Sequence, residues 1–298
     1  MKILCIGSAT YDINLPVDTY PKENTSALIN TKIECGGGTA SNAAYLLAKW
    51  KMNSYFAGLI GRDENGLKIL KEFNEVGVNT SYLELNKDVI TPTSMILIST
   101  AKTRTILNYN PLNEHKYSME LDINPDVILM DGSEYETASK SLDENIDAIS
   151  ILDCRYLTKE VIELAKRSTY LIISEHFASK LADIKIEYTN PDSIINAYLY
   201  LKKIFKYSNI ILVLDTKGCI YEDEGIKRMP AFKVDTKDIT GSMDIFIGAF
   251  TYGISNGFEI EKSLKYAMVA RALSLKKFGG RNSIPELNEV EDNYGALK

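Results

Sequence analysis

Residues 234–250 read VDTKDITGSMDIFIGAF, and this stretch decides how the remainder of the chain is interpreted. After its turn the apolar residues recur at helical spacing, which predicts a helix that begins near Ser242 or Met243. Asp244 would then lie in the first turn, where unpaired N–H groups and the helix dipole attract anions. A carboxylate there can take a proton from a hydroxyl beside a bound phosphate, as phosphoryl transfer to an alcohol requires. Taken alone, the stretch is also explained by an ordinary loop-to-helix junction, because the dipole favours an acidic residue at that point.

The composition predicts a globular protein that binds neither nucleic acid nor a membrane. The chain has 298 residues, of which 45% are hydrophobic and 25% charged, as expected for a single large α/β domain over 1–298. Its formal net charge is -6, whereas a nucleic acid or an anionic membrane would require a basic stripe.

The cysteines and the hydropathy pattern indicate a cytoplasmic protein. Four cysteines are scattered and form no C-x-x-C pair, which argues against a zinc site or a disulfide framework and fits a reducing compartment. The N-terminal MKILCIGSATYDINL becomes polar too early for a signal peptide. No apolar run reaches about 18 residues, so no transmembrane helix is expected.

Short apolar runs with helical segments between them predict a parallel sheet covered on both faces. The runs are 2–7, 54–59, 126–132, 148–153, 170–174 and 209–214. Two helices, at about 242–256 and 260–277, follow the central stretch. A second, smaller sheet is predicted from alternating segments at about 12–36 and 90–110, including short strands at 27–29 and 31–33.

Two polar features follow the first of these strands and are candidates for substrate binding. Asp12 lies at the carboxyl edge of the strand, where ligands bind in open α/β sheets, although it could also cap its own turn. Gly36, Gly37 and Gly38 precede a small-residue helix that contains Asn42. Glycines of this kind let a ligand approach the backbone, and a plain glycine-rich turn is the alternative.

The order and spacing of these motifs resemble the ribokinase-like (PfkB) carbohydrate kinase family over nearly the whole chain. The matching motifs are Asp12, Gly37-Gly38-x-x-x-Asn42, Gly61-x-Asp63-x-x-Gly66, Asp131-Gly132, the segment from Asp238 to Asp244, and Gly279-Gly280-Arg281-x-x-x-Pro285. The resemblance implies a three-layer αβα domain with a small β-sheet lid, formed here by about 12–36 and 90–110. It also implies transfer of the ATP γ-phosphate to a hydroxyl of a sugar or nucleoside, with Mg²⁺.

The resemblance further implies a role for each matching residue. Asp244 matches the general base, and the backbone of Gly241, Ser242 and Met243 completes an anion hole with it. The residues that hold the acceptor's hydroxyls are Asp12, Gly37, Gly38 and Asn42. The expected nucleotide contacts are Asp215, Gly218, Thr240 and Gly279, and Glu175 is the expected contact to magnesium. The unpaired edges of a projecting lid suggest a homodimer.

Three departures from the family pattern favour an alternative function. Met243 stands where the family usually has glycine; it would be strained at positive φ and would cost little in a helix. Asp215 places a negative charge near the nucleotide phosphates, and Ser174-Glu175-His176-Phe177 replaces the N-x-x-E segment associated with magnesium. The alternative to an active kinase is therefore a degenerate relative that binds a sugar or nucleotide without transferring phosphate.

Overall fold

The computed structural model describes residues 1–111 and 115–296, in which strands and helices alternate along most of the chain. The strands are β1 Lys2–Ile6, β2 Thr10–Val17, β3 Ile33–Gly37, β4 Asn53–Gly61, β5 Asn79–Asn86, β6 Thr93–Ser99, β7 Arg104–Tyr109, β8 Val127–Met130, β9 Ile149–Cys154, β10 Tyr170–Ser174, β11 Asn209–Val213, β12 Cys219–Glu222 and β13 Ile226–Met229. The helices are α1 Thr39–Lys49, α2 Glu64–Val76, α3 Tyr135–Glu144, α4 Lys159–Ala165, α5 Glu175–Ala182, α6 Pro191–Ile204, α7 Ser242–Ser255, α8 Ile260–Ser274 and α9 Leu287–Asn293.

The larger sheet is mostly parallel, as predicted. Its order is β13-β12-β11-β10-β9-β8-β1-β4-β5, and every neighbouring pair from β5 to β11 is parallel. An antiparallel hairpin, β12 and β13, extends it at one end. The chain leaves β1 toward β4 on one side and later returns to β8 on the other, so the strand order reverses at β1. In open α/β sheets the crevice at such a reversal, outside the carboxyl ends of the strands, is where ligands bind.

Residues that alternate along each central strand belong to two separate cores, which makes the domain three-layered. In β1, Ile3 and Cys5 pack into the core that includes α1, α2, α7 and α8, whereas Leu4 and Ile6 pack into the core that includes α3 to α6. All four side chains are at most 1% exposed. A strand that buries both faces needs apolar residues at consecutive positions, which is why it appears in the sequence as a continuous apolar run. The α/β prediction is confirmed.

The second sheet has the order β3-β2-β6-β7 and lies beside the carboxyl edge of the larger one. Strand β2 pairs with β6 in parallel register, so that Asp12 lies opposite Ser94. The predicted strand at 27–29 is wrong: that segment lies outside any strand, and Leu28 is 88% exposed. It has neither a partner strand nor a buried face, which a short strand needs for stability. That the small sheet acts as a lid stays a prediction. The bounds of that lid, about 12–36 and 90–110, also stay a prediction.

The two helices predicted at about 242–256 and 260–277 begin where the sequence predicted. Helix α7 begins at Ser242, as predicted, and α8 begins at Ile260. Helix α8 ends at Ser274, earlier than the predicted 277. Among residues 1–111 and 115–296, none of the helices is both long and apolar enough to cross a membrane.

Candidate active site

A cavity of about 1400 Å³ opens between the carboxyl edge of the larger sheet and the inner face of the small one. The predicted site residues that line it are Asp12, Gly38, Glu175, Asp215, Thr240, Gly241, Ser242, Met243 and Asp244. The other four, Gly37, Asn42, Gly218 and Gly279, are not among its lining residues. Two distant segments of the sequence, the glycine-rich turn and the start of α7, therefore meet at one cavity.

Asp244 lies in the first turn of α7, with its carboxylate held by three donors. The side-chain amide of Asn42 donates to Oδ2 at 2.8 Å. The hydroxyl of Thr39 and the guanidinium of Arg155 donate to Oδ1 at 3.1 and 2.8 Å. The Asp244 residue is 6% exposed, yet it lines the cavity. The carboxylate is thus oriented by α1 and by the residue that follows β9.

Three backbone N–H groups at the start of α7 are available to an anion. Those of Gly241, Met243 and Asp244 donate to no acceptor in the described part of the chain, whereas that of Ser242 donates to the carbonyl of Ile239 at 3.3 Å. Unsatisfied N–H groups at a helix start form an anion site, and the helix dipole adds to the attraction. A carboxylate and an anion site therefore face the same cavity.

Gly241 caps α7 at φ +69°, a conformation that favours glycine. A Cβ at this position would lie 2.7 Å from the Cα of Gly280, so the two loops also require glycine for their close approach. Met243 has ordinary helical geometry inside α7, because it is absent from the residues with positive φ. Of the two possibilities for Met243, the unstrained one is correct, and its side chain lines the cavity beside the free N–H groups.

Asp12 enters the cavity from β2, opposite the small-residue turn. Its Oδ1 accepts a hydrogen bond from the Thr10 hydroxyl at 2.9 Å. A Cβ at Gly37 would lie 2.3 Å from its Oδ2, so glycine is needed for the close approach of β3. Burial raises the pKa of Asp12 to about 6, and the nearby charge of Asp244 acts in the same direction. An ionised carboxylate in this position can accept hydrogen bonds from a polyol.

Asn42 is held behind the cavity by a buried chain of polar contacts. Its Oδ1 accepts from Nε of Arg281 at 3.2 Å, which fixes the amide so that Nδ2 points to Asp244. Nη1 of Arg281 donates to Glu72 at 2.7 Å, and Nη2 donates to the hydroxyl of Ser41. Glu72 also accepts from the backbone N–H of Gly36 at 2.9 Å. Arg281 thus ties the C-terminal loop, α1, α2 and the glycine-rich turn to the orientation of Asp244.

At the other end of the cavity, Asp215 and Arg271 carry opposite charges. Asp215 has φ +36°, its side chain is 73% exposed, and its Oδ1 lies 3.7 Å from Nη2 of Arg271. Arg271 is 8% exposed, and its Nε and Nη1 have no hydrogen-bond partner among the described residues. Burial lowers the pKa of Arg271, whereas Asp215 acts against that change. The expected repulsion between Asp215 and a nucleotide is thus countered by a buried cation that the sequence did not suggest.

Thr240 and Gly279, two of the predicted nucleotide contacts, are joined through Asp238. Oδ1 of Asp238 accepts from the backbone N–H and the hydroxyl of Thr240, at 2.9 and 2.7 Å. Its Oδ2 accepts from the N–H of Gly279 at 2.9 Å. Gly218 lies at the turn into the β12–β13 hairpin, against the backbone of Met229. The roles of these residues in nucleotide binding stay predictions.

Glu175 opens onto the cavity at the start of α5 and is the carboxylate that could contact a nucleotide-bound metal. One of its oxygens accepts a hydrogen bond from the hydroxyl of Tyr188. No group of three or more His, Cys, Asp or Glu side chains that could hold a metal occurs in 1–111 and 115–296. Magnesium in phosphoryl-transfer enzymes is bound by one or two carboxylates together with phosphates and water, so one carboxylate is compatible with it.

Asp153 and Arg155 are two further cavity residues that the motifs did not reveal. Burial raises the pKa of Asp153 to about 6, an effect that Arg155 opposes. Nη2 of Arg155 lies 3.2 Å from Oδ2 of Asp153 as well as 2.8 Å from Oδ1 of Asp244. Both residues stand at the carboxyl end of β9, and the rule that ligands bind at this edge would have singled them out.

Comparisons with known proteins identify the family and the fold of the chain. A family model described as pfkB family carbohydrate kinase matches residues 1–287. A ribokinase from Lactococcus lactis is 29% identical over 100% of this chain and 98% of its own length. A protein of Agrobacterium tumefaciens, named as a candidate ribokinase, is similar in structure with a TM-score of 0.88 at 24% identity, over 98% of this chain and 97% of its own. A ribokinase from Arabidopsis thaliana, whose structure holds ribose and ATP, has a TM-score of 0.79 at 21% identity, over 99% and 98% of the two chains.

Proposed function

Because the chain belongs to the pfkB family of carbohydrate kinases, we propose that it transfers the γ-phosphate of ATP to a hydroxyl of a sugar or nucleoside, with Asp244 as the general base. The observation that carries this proposal is the position of the Asp244 carboxylate. It lies beside three free N–H groups of α7 and is held by Asn42 in the cavity that Asp12 also lines. A phosphate on those N–H groups would place an acceptor hydroxyl within reach of the carboxylate.

In this mechanism the acceptor hydroxyl replaces one of the donors on Oδ1 of Asp244. Asn42 keeps its bond to Oδ2 and holds the carboxylate in place. The hydroxyl oxygen attacks the γ-phosphorus while its proton passes to Asp244; one O–P bond forms, the bond to the β-phosphate oxygen breaks, and ADP leaves. The N–H groups of Gly241, Met243 and Asp244 stabilise the charge on the transferred group.

The nucleotide would occupy the half of the cavity lined by Asp215 and Arg271. Arg271 would offset the negative charge of Asp215 beside the nucleotide. Glu175 would hold magnesium together with nucleotide phosphates and water, and the ion would neutralise phosphate charge. Four buried, free cysteines support the further proposal that the protein works in the cytoplasm.

A second candidate function is binding of a sugar or nucleotide without transfer. It is favoured by Arg155, which occupies one oxygen of the proposed base together with Thr39. Oδ1 of Asp244 already accepts two hydrogen bonds, so that oxygen can take a proton only after one donor has moved. If Arg155 keeps its position and blocks the approach of the hydroxyl, the cavity holds ligands but the reaction does not proceed.

A coupled assay of ATP consumption over a panel of sugars and nucleosides tests the proposal. We expect turnover with at least one acceptor, and loss of that turnover in Asp244→Asn. Ligand-induced thermal stabilisation of the wild-type protein is measured with the same panel. Stabilisation without turnover by any acceptor would reject the kinase proposal in favour of the binding protein.

A further inference from the structure

Arg155 contacts the proposed base through one nitrogen atom and leaves the rest of its guanidinium free. Nη2 contacts Asp244 at 2.8 Å and Asp153 at 3.2 Å. Nε and Nη1 make no hydrogen bond with any residue of 1–111 and 115–296. The side chain is 33% exposed, whereas those of Asp153 and Asp244 are 5% and 9% exposed. Arg155 also lines the cavity, so Nε and Nη1 are the donors that it has left for a ligand there.

A second arginine, whose side chain has no ion-pair or hydrogen-bond partner among the described residues, lines the same cavity from the small sheet. Arg104 belongs to β7, on the face of the small sheet that also presents Ser94, Ile96, Ile106 and Asn108 to the cavity. It is half-buried, and its side chain forms no ion pair or hydrogen bond within the described ranges. Two guanidinium groups with free donors, one on each wall, are an arrangement that suits an anionic ligand group.

We propose that the acceptor carries an anionic group, a carboxylate or a phosphate, which Arg155 binds with the help of Arg104. This inference rests on the proposed function and specifies its acceptor. As the anion draws Arg155 away, Oδ1 of Asp244 becomes free to receive the hydroxyl proton, so the acceptor itself removes the obstacle to its phosphorylation. Asn42 and Thr39 keep the carboxylate in position meanwhile.

A neutral acceptor would leave the free donors of Arg155 unused. The hydroxyls of a neutral sugar are served by acceptors such as Asp12 and by amides. For such a sugar, the guanidinium only occupies a lone pair of Oδ1 on the proposed base. Placing a charge in so enclosed a site also has a desolvation cost, which Asp153 and Asp244 offset in the free protein and which the anion would offset in the complex.

The test compares matched acceptors in steady-state kinetics: fructose with fructose 6-phosphate, and glucose with gluconate. We expect the wild-type protein to prefer an anionic member at least 10-fold in kcat/KM. Arg155→Gln should lower that kcat/KM at least 100-fold and change the value for the neutral partner less than 5-fold. Arg155→Lys keeps the positive charge but loses the paired N–H donors of the guanidinium. Its kcat/KM for the anionic acceptor should lie between those of the wild type and Arg155→Gln. Arg62→Gln, at an exposed arginine away from the cavity, should match the wild type.

A neutral acceptor preferred by the wild-type protein, or an equal loss for both acceptor classes in Arg155→Gln, would overturn the inference while the kinase assignment stands. No turnover with any sugar would instead reject the kinase assignment. In that case calorimetry decides: gluconate or fructose 6-phosphate should bind the wild type and bind Arg155→Gln at least 10-fold more weakly, and equal affinities would refute the anion site. If Arg155→Gln does not fold, Arg104→Gln, on the small sheet, is tested instead. It must lower kcat/KM for anionic acceptors more than for neutral ones, and otherwise the inference fails.

Discussion

Asp244 is held by residues from two distant parts of the chain, and the orientation of its carboxylate depends on both. Asn42 and Thr39 come from α1 and Arg155 from the end of β9. A buried carboxylate needs such partners because burial without hydrogen bonds is costly. The same partners set the direction from which a hydroxyl can approach it.

Asp244→Asn tests the assignment of the base. The amide keeps the shape of the carboxylate but cannot take a proton, so kcat should fall by roughly 10²–10⁴-fold. Acceptor affinity should change only a few-fold, because Asp12 and the glycine-rich turn remain. The measurements are ATP turnover and calorimetric binding of the acceptor. Turnover within a few-fold of the wild type would assign the base to another residue.

Asp12→Asn is expected to stabilise the protein in a pH-dependent way. The pKa of Asp12 is raised by burial from 3.8 to about 6, so the folded state holds the proton more tightly than the unfolded state. Stability is therefore lost as pH rises between these values, and the ionised carboxylate costs on the order of 2–3 kcal/mol above pH 6. Removing it should increase the free energy of unfolding at pH 8, and the gain should vanish near pH 4.

Urea denaturation of both proteins at pH 4, 6 and 8 measures this effect. Asp18→Asn, at an exposed aspartate just beyond β2, provides the control and should show no such trend. A constant difference between Asp12→Asn and the wild type at all three pH values would contradict the assigned pKa shift.

At the scale of elements, the start of α7 is where the anion site and the base coincide. Gly241 lets the chain turn sharply into the helix, so that the free N–H groups and Asp244 lie within one turn. Met243 lines the cavity beside these groups. The predicted restriction of the phosphate site by methionine therefore concerns a side chain that lies at this cavity.

Met243→Gly should raise the rate of ATP turnover if the methionine restricts the phosphate site. Glycine inside a helix costs about 0.5–1 kcal/mol relative to alanine, so some thermal stability should be lost. Met243→Ala separates steric relief from loss of helix stability, because alanine removes most of the side chain and is itself a strong helix former. If alanine leaves turnover unchanged or lower, steric restriction by Met243 is not the cause.

We expect the ion pair between Glu72 of α2 and Arg281 to affect the rate of the reaction, although neither residue lines the cavity. Glu72→Gln weakens the bond to Arg281, which orients the Asn42 amide. We expect kcat to fall about 10-fold with KM for ATP unchanged, since no nucleotide contact is altered. Glu75→Gln, at an exposed position on the same helix, is the matched control. Equal kcat in both variants would show that Asn42 does not need this support.

At the scale of the whole molecule, the sequence predicted the parts that depend on short-range pattern. The apolar runs predicted the parallel strands, and the residues around Gly241 predicted where α7 begins. The ion pair between Arg155 and Asp244 could not be predicted, because its partners are 89 residues apart and no motif joins them. The segment at 27–29 misled because apolar side chains alone do not supply a partner strand.

The outer face of the small sheet supports the prediction of a homodimer. Met95 and Leu107, which lie opposite each other on adjacent strands, are 48% and 58% exposed, and exposed apolar side chains of this kind suit association. Light scattering with size-exclusion chromatography should give a dimer that Leu107→Lys converts to a monomer. Leu28→Lys, at a leucine that is 88% exposed outside any strand, should leave the mass unchanged. A wild-type monomer at all concentrations tested would refute the prediction.

The partners that orient the Asp244 carboxylate, directly or through Asn42, extend from Thr39 to Arg281 along the chain. During synthesis, therefore, these contacts cannot all form until Arg281 has left the ribosome. We expect a product truncated before Arg281 to keep the strands of the large sheet but to lack the full support of the proposed base, and so to have no kinase activity.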